Sequence, residues 1–145
     1  MKNILVINGP NLNLLGERNP EIYGHETLSD IEQYIITHPL AREVNIQCFQ
    51  SNSEGDIINV IHESRGWAEG IIINPAAYTH YSYAIRDALE AVSIPVVEVH
   101  LSDITAREPF RAGSVIAPVC LAQVAGHGKE SYIMGLKRLL AFSND

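Results

Sequence analysis

Apolar residues along this 145-residue chain gather in short uninterrupted runs, separated by segments in which they recur every three or four positions. The runs lie at 3–8 (NILVIN), 44–49 (VNIQCF), 70–74 (GIIIN), 95–99 (PVVEV) and 114–119 (SVIAPV). Continuous runs of this length predict parallel strands covered on both faces, because a strand with one face in water alternates. Between them, Leu28, Ile31 and Ile35 make one helical stripe, Ile57 and Ile61 a second, and Ala84, Ile85, Ala88 and Val92 a third. Tyr132, Leu136, Leu139 and Leu140 make a fourth. Thr27 and Ser53 stand at N-cap positions, each with an Asp three residues on, a weak form of the capping box.

This alternation, with a loop in place of a helix before the fifth strand, predicts an α/β fold: a three-layer, five-stranded parallel sheet with right-handed crossovers and helices on both faces. The expected strand order is the flavodoxin-like 2-1-3-4-5. Length and a hydrophobic content of 46% fit a single domain over 1–145, with no repeat or linker.

Composition narrows the partners. The four apolar residues at 4–7 are too few for a signal-peptide core or a membrane span, and the apolar stretch at 115–125 is broken by Pro118 and Gln123 and reads as buried strand. A cytoplasmic protein with no membrane contact is expected. Ten Lys+Arg against 17 Asp+Glu give a net charge of -7 without any basic cluster, which argues against nucleic acid. A small anionic ligand still fits, because a few arginines in one cleft outweigh an acidic surface. Cys48 and Cys120, far apart in apolar surroundings, predict buried core thiols and no disulfide. His25, His38, His62 and His127 lack ligand spacing, and Glu98-x-His100 offers two ligands without a third, so no metal is expected.

In open parallel sheets ligands bind beyond the carboxyl ends of the strands. Polar residues fall there repeatedly: 8–23 after the first strand, 74–80 after the third, and His100-Leu101-Ser102 after the fourth, with Arg107 and Arg111 in the loop that follows. The stretch NGPNLNLLGERNPEIYGHET at 8–27 is long for a loop, and its apolar anchors Leu12, Leu14, Leu15 and Ile22 mark it as functional rather than disordered. Glu98 and His100, two apart on a strand, share a face. A carboxylate there orients the imidazole and favours its protonated form, which suits a general acid; a purely structural strand-end histidine has the same spacing.

Arg18 and Tyr23 have a definite use together. A phenol titrates near pH 10, and a guanidinium about 4 Å away stabilises its anion by roughly 4 kcal/mol at an effective dielectric near 20. The same two residues also read as a turn anchor and a solvated charge. Asn11 and Asn13 suit local turn capping, Asn13 above all; Asn74 and His80 suit either ligand donation or pinning of their loop. Lys2, Lys129 and Lys137 lie away from the expected cleft, which disfavours Schiff-base chemistry. The alternative is a non-catalytic flavodoxin-like binding or signalling module. Against it, the first loop is not a short phosphate-binding turn, and Asn74 stands where a phosphoacceptor Asp belongs.

Four stretches, INGPNLNLLGERNPEIYG, QSNSEGDIINVIH, IINPAAYTHYSYAIRDAL and PVVEVHLSDITAREPFRAGSVIAP, resemble in order the type II 3-dehydroquinases along nearly the whole chain. The resemblance implies anti elimination of water from 3-dehydroquinate to 3-dehydroshikimate through an enolate, with neither metal nor cofactor. This step belongs to the shikimate pathway and also serves quinate breakdown. Tyr23 matches the base that takes the C2 proton and Arg18 the residue that keeps this phenol ionised. His100, oriented by Glu98, matches the acid at the C1 hydroxyl, and Asn11 the residue holding the water that stabilises the enolate. Asn74, His80, the backbone at Leu101 and Ser102, and Arg111 match substrate-binding positions, with Arg107 a loop arginine nearby. Asp87 matches one too, although helical spacing places it with Arg86 opposite the apolar stripe. The resemblance implies a dodecamer of trimers in which this aspartate reaches a neighbouring subunit's site, and a loop at 8–27 that closes over substrate. Ala76, where the family often has Gly, and Ala122, His127 and Ser131 depart from its pattern.

Overall fold

The computed structural model describes residues 1–17, 21, 24–106 and 108–142. The expectations for Arg18, Ile22, Tyr23 and Arg107 therefore lie outside the described residues. Strands β1 (Lys2–Asn8), β2 (Val44–Gln50), β3 (Gly70–Asn74), β4 (Val96–His100) and β5 (Ala122–Ala125) form one parallel sheet in the order β2-β1-β3-β4-β5. This is the order the alternating pattern predicts. The α-helices of ten or more residues among those described are α1 (Leu28–Thr37), α2 (Glu54–Glu63), α3 (Tyr83–Val92) and α4 (Glu130–Ala141).

Alternate residues of β1 feed two separate cores. Ile4 and Val6 pack with Leu28, Ile31 and Ile35 of α1 and with Tyr132, Leu136 and Leu139 of α4. Leu5 and Ile7 pack with Ile57 and Ile61 of α2 and with Ile85, Ala88 and Leu89 of α3. Full burial of one such aliphatic side chain is worth about 1.5–3 kcal/mol, so both faces of the sheet hold the fold together. Every residue of β3 and β4 is buried, whereas none of the edge strand β2 is: its positions are partly buried or exposed.

Helix starts follow the caps. At Thr27 the capping box is complete: its hydroxyl accepts from the Asp30 N–H at 3.1 Å and the Asp30 carboxylate accepts from the Thr27 N–H at 3.0 Å. Ser53 makes only the first half, accepting from the Asp56 N–H at 3.2 Å. Its own N–H goes to the Ser51 hydroxyl at 2.9 Å, which leaves the Asp56 carboxylate no reciprocal role.

Three expectations need correction. The fifth strand is not 114–119 but Ala122–Ala125, and Ala117–Val119 forms a 3-10 turn. The Ser114 hydroxyl accepts the N–H groups of Ile116 and Ala117 at 3.1 and 3.0 Å, Val115 donates to the Thr79 carbonyl, Val119 to the Ile116 carbonyl, and Pro118 has no N–H, so 115–119 has no donor left for a ladder. The α3 stripe runs through Ile85, Ala88 and Leu89, and Ala84 is exposed, because Ile85, Leu89 and Val92 already fill an i, i+4, i+7 face. Cys48 and Cys120 are free thiols but only partly buried, each packed at the margin of one core.

Candidate active site

The carboxyl ends of β1, β3 and β4 lie side by side, with Asn8 paired in register with Asn74 and Glu98 two residues short of the strand end. Above them a cleft is lined by Asn11, Asn74, His80, His100, Ser102 and Arg111. Leu12, Leu15, Leu101 and Ile104 supply apolar wall between these polar groups. Four segments distant in sequence thus meet at the edge where the sequence places them. The long first loop contains a 3-10 turn at Leu12–Leu14; Leu12 and Leu15 are buried, and Leu14 is exposed.

Glu98 and His100 do share a face. His100 Nε2 lies 2.5 Å from Glu98 Oε2, and both side chains are buried. With Nε2 committed to the carboxylate, Nδ1 is the ring nitrogen left to exchange a proton. Burial pushes the Glu98 carboxyl up, but hydrogen bonding and charge from His100, with hydroxyls of Thr79 and Ser114, more than offset this and hold it below the ordinary 4.5. The anion therefore persists in a fully buried position.

His80 Nδ1 lies 2.8 Å from the carbonyl of Gly113. A carbonyl only accepts, so Nδ1 carries the hydrogen and Nε2 remains as the free edge. Arg111 Nε sits 2.8 Å from Glu108 Oε2 without an aligned hydrogen bond, and the guanidinium lies 4.8 Å from the Phe110 ring centroid. Such a partly exposed ion pair contributes little to stability, and the planar guanidinium, placed in the cleft wall, suits a ligand carboxylate.

Asn74 pins its loop and still has capacity to spare. Its Oδ1 accepts from the Ala76 N–H and its Nδ2 donates to the Tyr132 hydroxyl, both at 3.1 Å. One amide hydrogen and one lone pair remain. The Tyr132 hydroxyl in turn donates to Asn8 Oδ1 at 2.5 Å, while burial pushes its own ionisation upward. Gly9 donates its N–H to the Asn74 carbonyl at 2.8 Å, and a Cβ there would sit 2.6 Å from the Pro75 carbonyl oxygen. Only glycine lets the loops after β1 and β3 approach this closely.

Asn11 has a left-handed backbone (φ 70°), and its N–H donates to Asn52 Oδ1 at 2.9 Å. Asn13 does not cap its own turn: its Oδ1 accepts from Gln50 Nε2 at 3.3 Å, because Gln50, at the end of β2, reaches across to this loop and also binds the Gly9 carbonyl. Asp87 is exposed on the outer face of α3 and does not line the cleft of its own chain. Sequence reasoning missed Thr79, Ser114, Tyr132, Gln50 and Asn52. Ser114 lay in a presumed strand and Tyr132 in an apolar stripe, so neither polar role had a local signal.

An open parallel sheet wound in flavodoxin-like order, with a polar cleft at its carboxyl edge, defines the class of protein. Within it, the family model for class II dehydroquinases matches residues 2–140, and the chain belongs to that family. It is 55% identical to the 3-dehydroquinate dehydratase of Halalkalibacterium halodurans over 140 residues, 97% of each chain. It is 50% identical to that of Bacillus subtilis over 97% of this chain and 95% of the relative. The crystal structure of the type II dehydroquinase from Butyrivibrio crossotus superposes with a TM-score of 0.93 at 48% identity, covering 97% of this chain and 98% of the other.

Proposed function

We propose that this class II dehydroquinase, a hydro-lyase of the 3-dehydroquinate dehydratase type, works by acid-base chemistry with His100 as acid and Tyr23 as base. The observation that carries this reading is the buried Glu98–His100 pair in the wall of a cleft that also presents Arg111, Asn74 and His80. Arg111 takes the substrate carboxylate in its fork, and Asn74, His80 and the backbone at Leu101 and Ser102 hold the ring hydroxyls. Tyr23, kept ionised by the positive charge of Arg18, removes the C2 proton, and the C–H electrons pass into an enolate. Asn11 holds the water that stabilises this charge. The C1–O bond then breaks as His100 Nδ1 delivers a proton, and the hydroxyl departs as water. The proton on Tyr23 and the vacancy on His100 restore each other through solvent, so nothing is consumed but substrate.

Metal and cofactor have no part in this sequence, and Arg107 is a supporting loop charge. We place the step in the cytoplasm, in the shikimate pathway, and the assembly as a dodecamer of trimers in which Asp87 completes a neighbour's site. The exposed position of Asp87 supports that assignment. Protein mixed with 3-dehydroquinate is expected to generate the ultraviolet absorbance of a conjugated enone, and none from folded protein overturns the function. Tyr23→Phe should abolish turnover with binding largely intact; retained turnover overturns the assigned base. Borohydride added with substrate should leave the enzyme active, whereas inactivation would reveal a Schiff base.

A further inference from the structure

Behind His100, the Glu98 carboxylate accepts from two hydroxyls as well as from the imidazole. Thr79 Oγ1, fully buried, donates to Glu98 Oε2, and Ser114 Oγ lies 2.8 and 3.0 Å from the two carboxylate oxygens. Counting hydrogens fixes the direction of these bonds. Ser114 Oγ already accepts from the N–H groups of Ile116 and Ala117, so both its lone pairs are occupied and its single hydrogen can only be donated. An ionised carboxylate is acceptor-only and suits three donors, whereas a protonated one would bring a fourth hydrogen to a site short of acceptors. Thr79 Oγ1 also lies 2.9 Å from Ser114 Oγ, so the serine hydrogen reaches the carboxylate directly or goes to the threonine hydroxyl that itself donates to the carboxylate. By either route donation runs from the backbone amides of the 114–117 turn toward Glu98, which also takes the imidazole Nε2–H.

We propose that Thr79 and Ser114 are positioning residues for the acid: together they hold Glu98 as an oriented anion, which keeps the Nε2 hydrogen of His100 in place and commits Nδ1 to the reacting hydroxyl. This rests on the assignment of His100 as acid. The same short segment carries further links to the cleft. Val115 donates its N–H to the Thr79 carbonyl at 2.8 Å, and the Gly113 carbonyl fixes His80. The loop that presents Arg111 is thus tied to the acid's support by Ser114, three residues further on.

Among the described residues, few titratable or charged groups surround this carboxylate. His100 shares its strand; Cys120, from the segment leading into β5, lies within its electrostatic reach and is a neutral thiol, pushed up to about 12 by burial and then by Glu98 itself. Among the described residues, the charged or titratable groups that line the cleft with His100 are His80 and Arg111. Because Thr79 bears no charge and bonds Glu98 directly, a shift in the alkaline limb of the rate–pH profile, where the acid loses its proton, reports on the carboxylate–imidazole pair.

The test uses Thr79→Val, which removes the hydroxyl at nearly constant volume, and Thr79→Ser, which retains it. Loss of one hydrogen bond to a charged group should lower kcat about tenfold, with KM within about twofold because binding contacts are untouched. The alkaline limb of the kcat profile should move to higher pH, since a carboxylate with one donor fewer attracts the imidazole proton more strongly. Thr79→Ser should restore both. An unchanged kcat and profile in Thr79→Val, or a loss that Thr79→Ser fails to repair, overturns the proposal in favour of simple packing. Should Thr79→Val not fold, nitrogen NMR of the His100 ring in the unaltered protein decides: a hydrogen on Nε2 at neutral pH is expected, and a neutral ring carrying it on Nδ1 overturns the scheme. His100→Ala, run in parallel, separates the two levels. Activity retained there removes the acid assignment itself, whereas activity lost there with Thr79→Val unaffected removes only the clamp.

Discussion

Glu98 shows how one residue links the stability of this fold to its chemistry. Its carboxyl is fully buried, where desolvation alone would neutralise it, yet donors from His100, Thr79 and Ser114 hold it below 4.5. A group whose folded value lies below its unfolded value stabilises the protein above the unfolded value, and that contribution disappears as pH falls through the folded one. Glu98→Gln should therefore cost about 3 kcal/mol near neutral pH, as expected for breaking a buried ion pair. Thermal unfolding should show the gap to the unaltered protein closing as pH drops below 4.5. A gap that stays constant down to acid pH refutes the linkage. Ala76 poses the opposite case: it holds φ 52°, a left-handed conformation that costs an L-residue about 1–2 kcal/mol. Ala76→Gly removes this strain but adds backbone freedom to the unfolded chain worth about 0.5–1 kcal/mol. A net gain of about 0.5–1 kcal/mol follows, read as a higher urea midpoint at unchanged slope; a lower midpoint would count against it. The departure noted in the sequence at this position thus acquires a physical cost.

At the scale of elements, the cleft depends on how closely the loops after β1 and β3 approach. Gly9 is the contact point, and the obstacle to a side chain is a backbone carbonyl 2.6 Å away that no rotamer change can move. Gly9→Ala should destabilise by about 1–3 kcal/mol as overpacking does. It should reduce turnover more than stability suggests, because it separates Asn11 from Asn74; full activity with normal unfolding would disprove the close approach. Strand pairing explains which elements were legible beforehand. β3 and β4, buried on both faces, read as uninterrupted apolar runs and appear within a residue of where the sequence puts them. The fifth strand does not, because β5 is a short edge strand with Gln123 exposed, while the more apolar stretch before it spends the N–H groups of 115–119 on Ser114, on the Thr79 carbonyl and within its own turn. Hydrophobicity reports contact with a core rather than strand geometry: Ile116 is buried and Val115 and Val119 pack against the same core, from a turn and not a ladder.

For the whole molecule, Asp87 raises the question of assembly. Its place on the exposed face of α3 gives it no role in its own cleft, so its proposed function requires a second subunit. Light scattering should give the mass of twelve chains, and Asp87→Ala should raise KM with thermal unfolding unchanged; a monomeric mass with full activity overturns the shared site. The amino-acid sequence by itself determined the order of strands and helices, the edge of the sheet where polar residues gather, and the common face of Glu98 and His100. Each of these follows from a local period, two residues in a strand or 3.6 in a helix, that the pattern records directly. Only the tertiary structure decided which hydroxyls secure Glu98, which ring nitrogens remain free on His80 and His100, and how Tyr132 joins Asn8 to Asn74. Those partners come from other segments of the chain, and hydrogen bonds between residues distant in sequence leave no periodic trace: Thr79, Ser114 and Tyr132 become polar anchors only when folding brings a buried partner within reach.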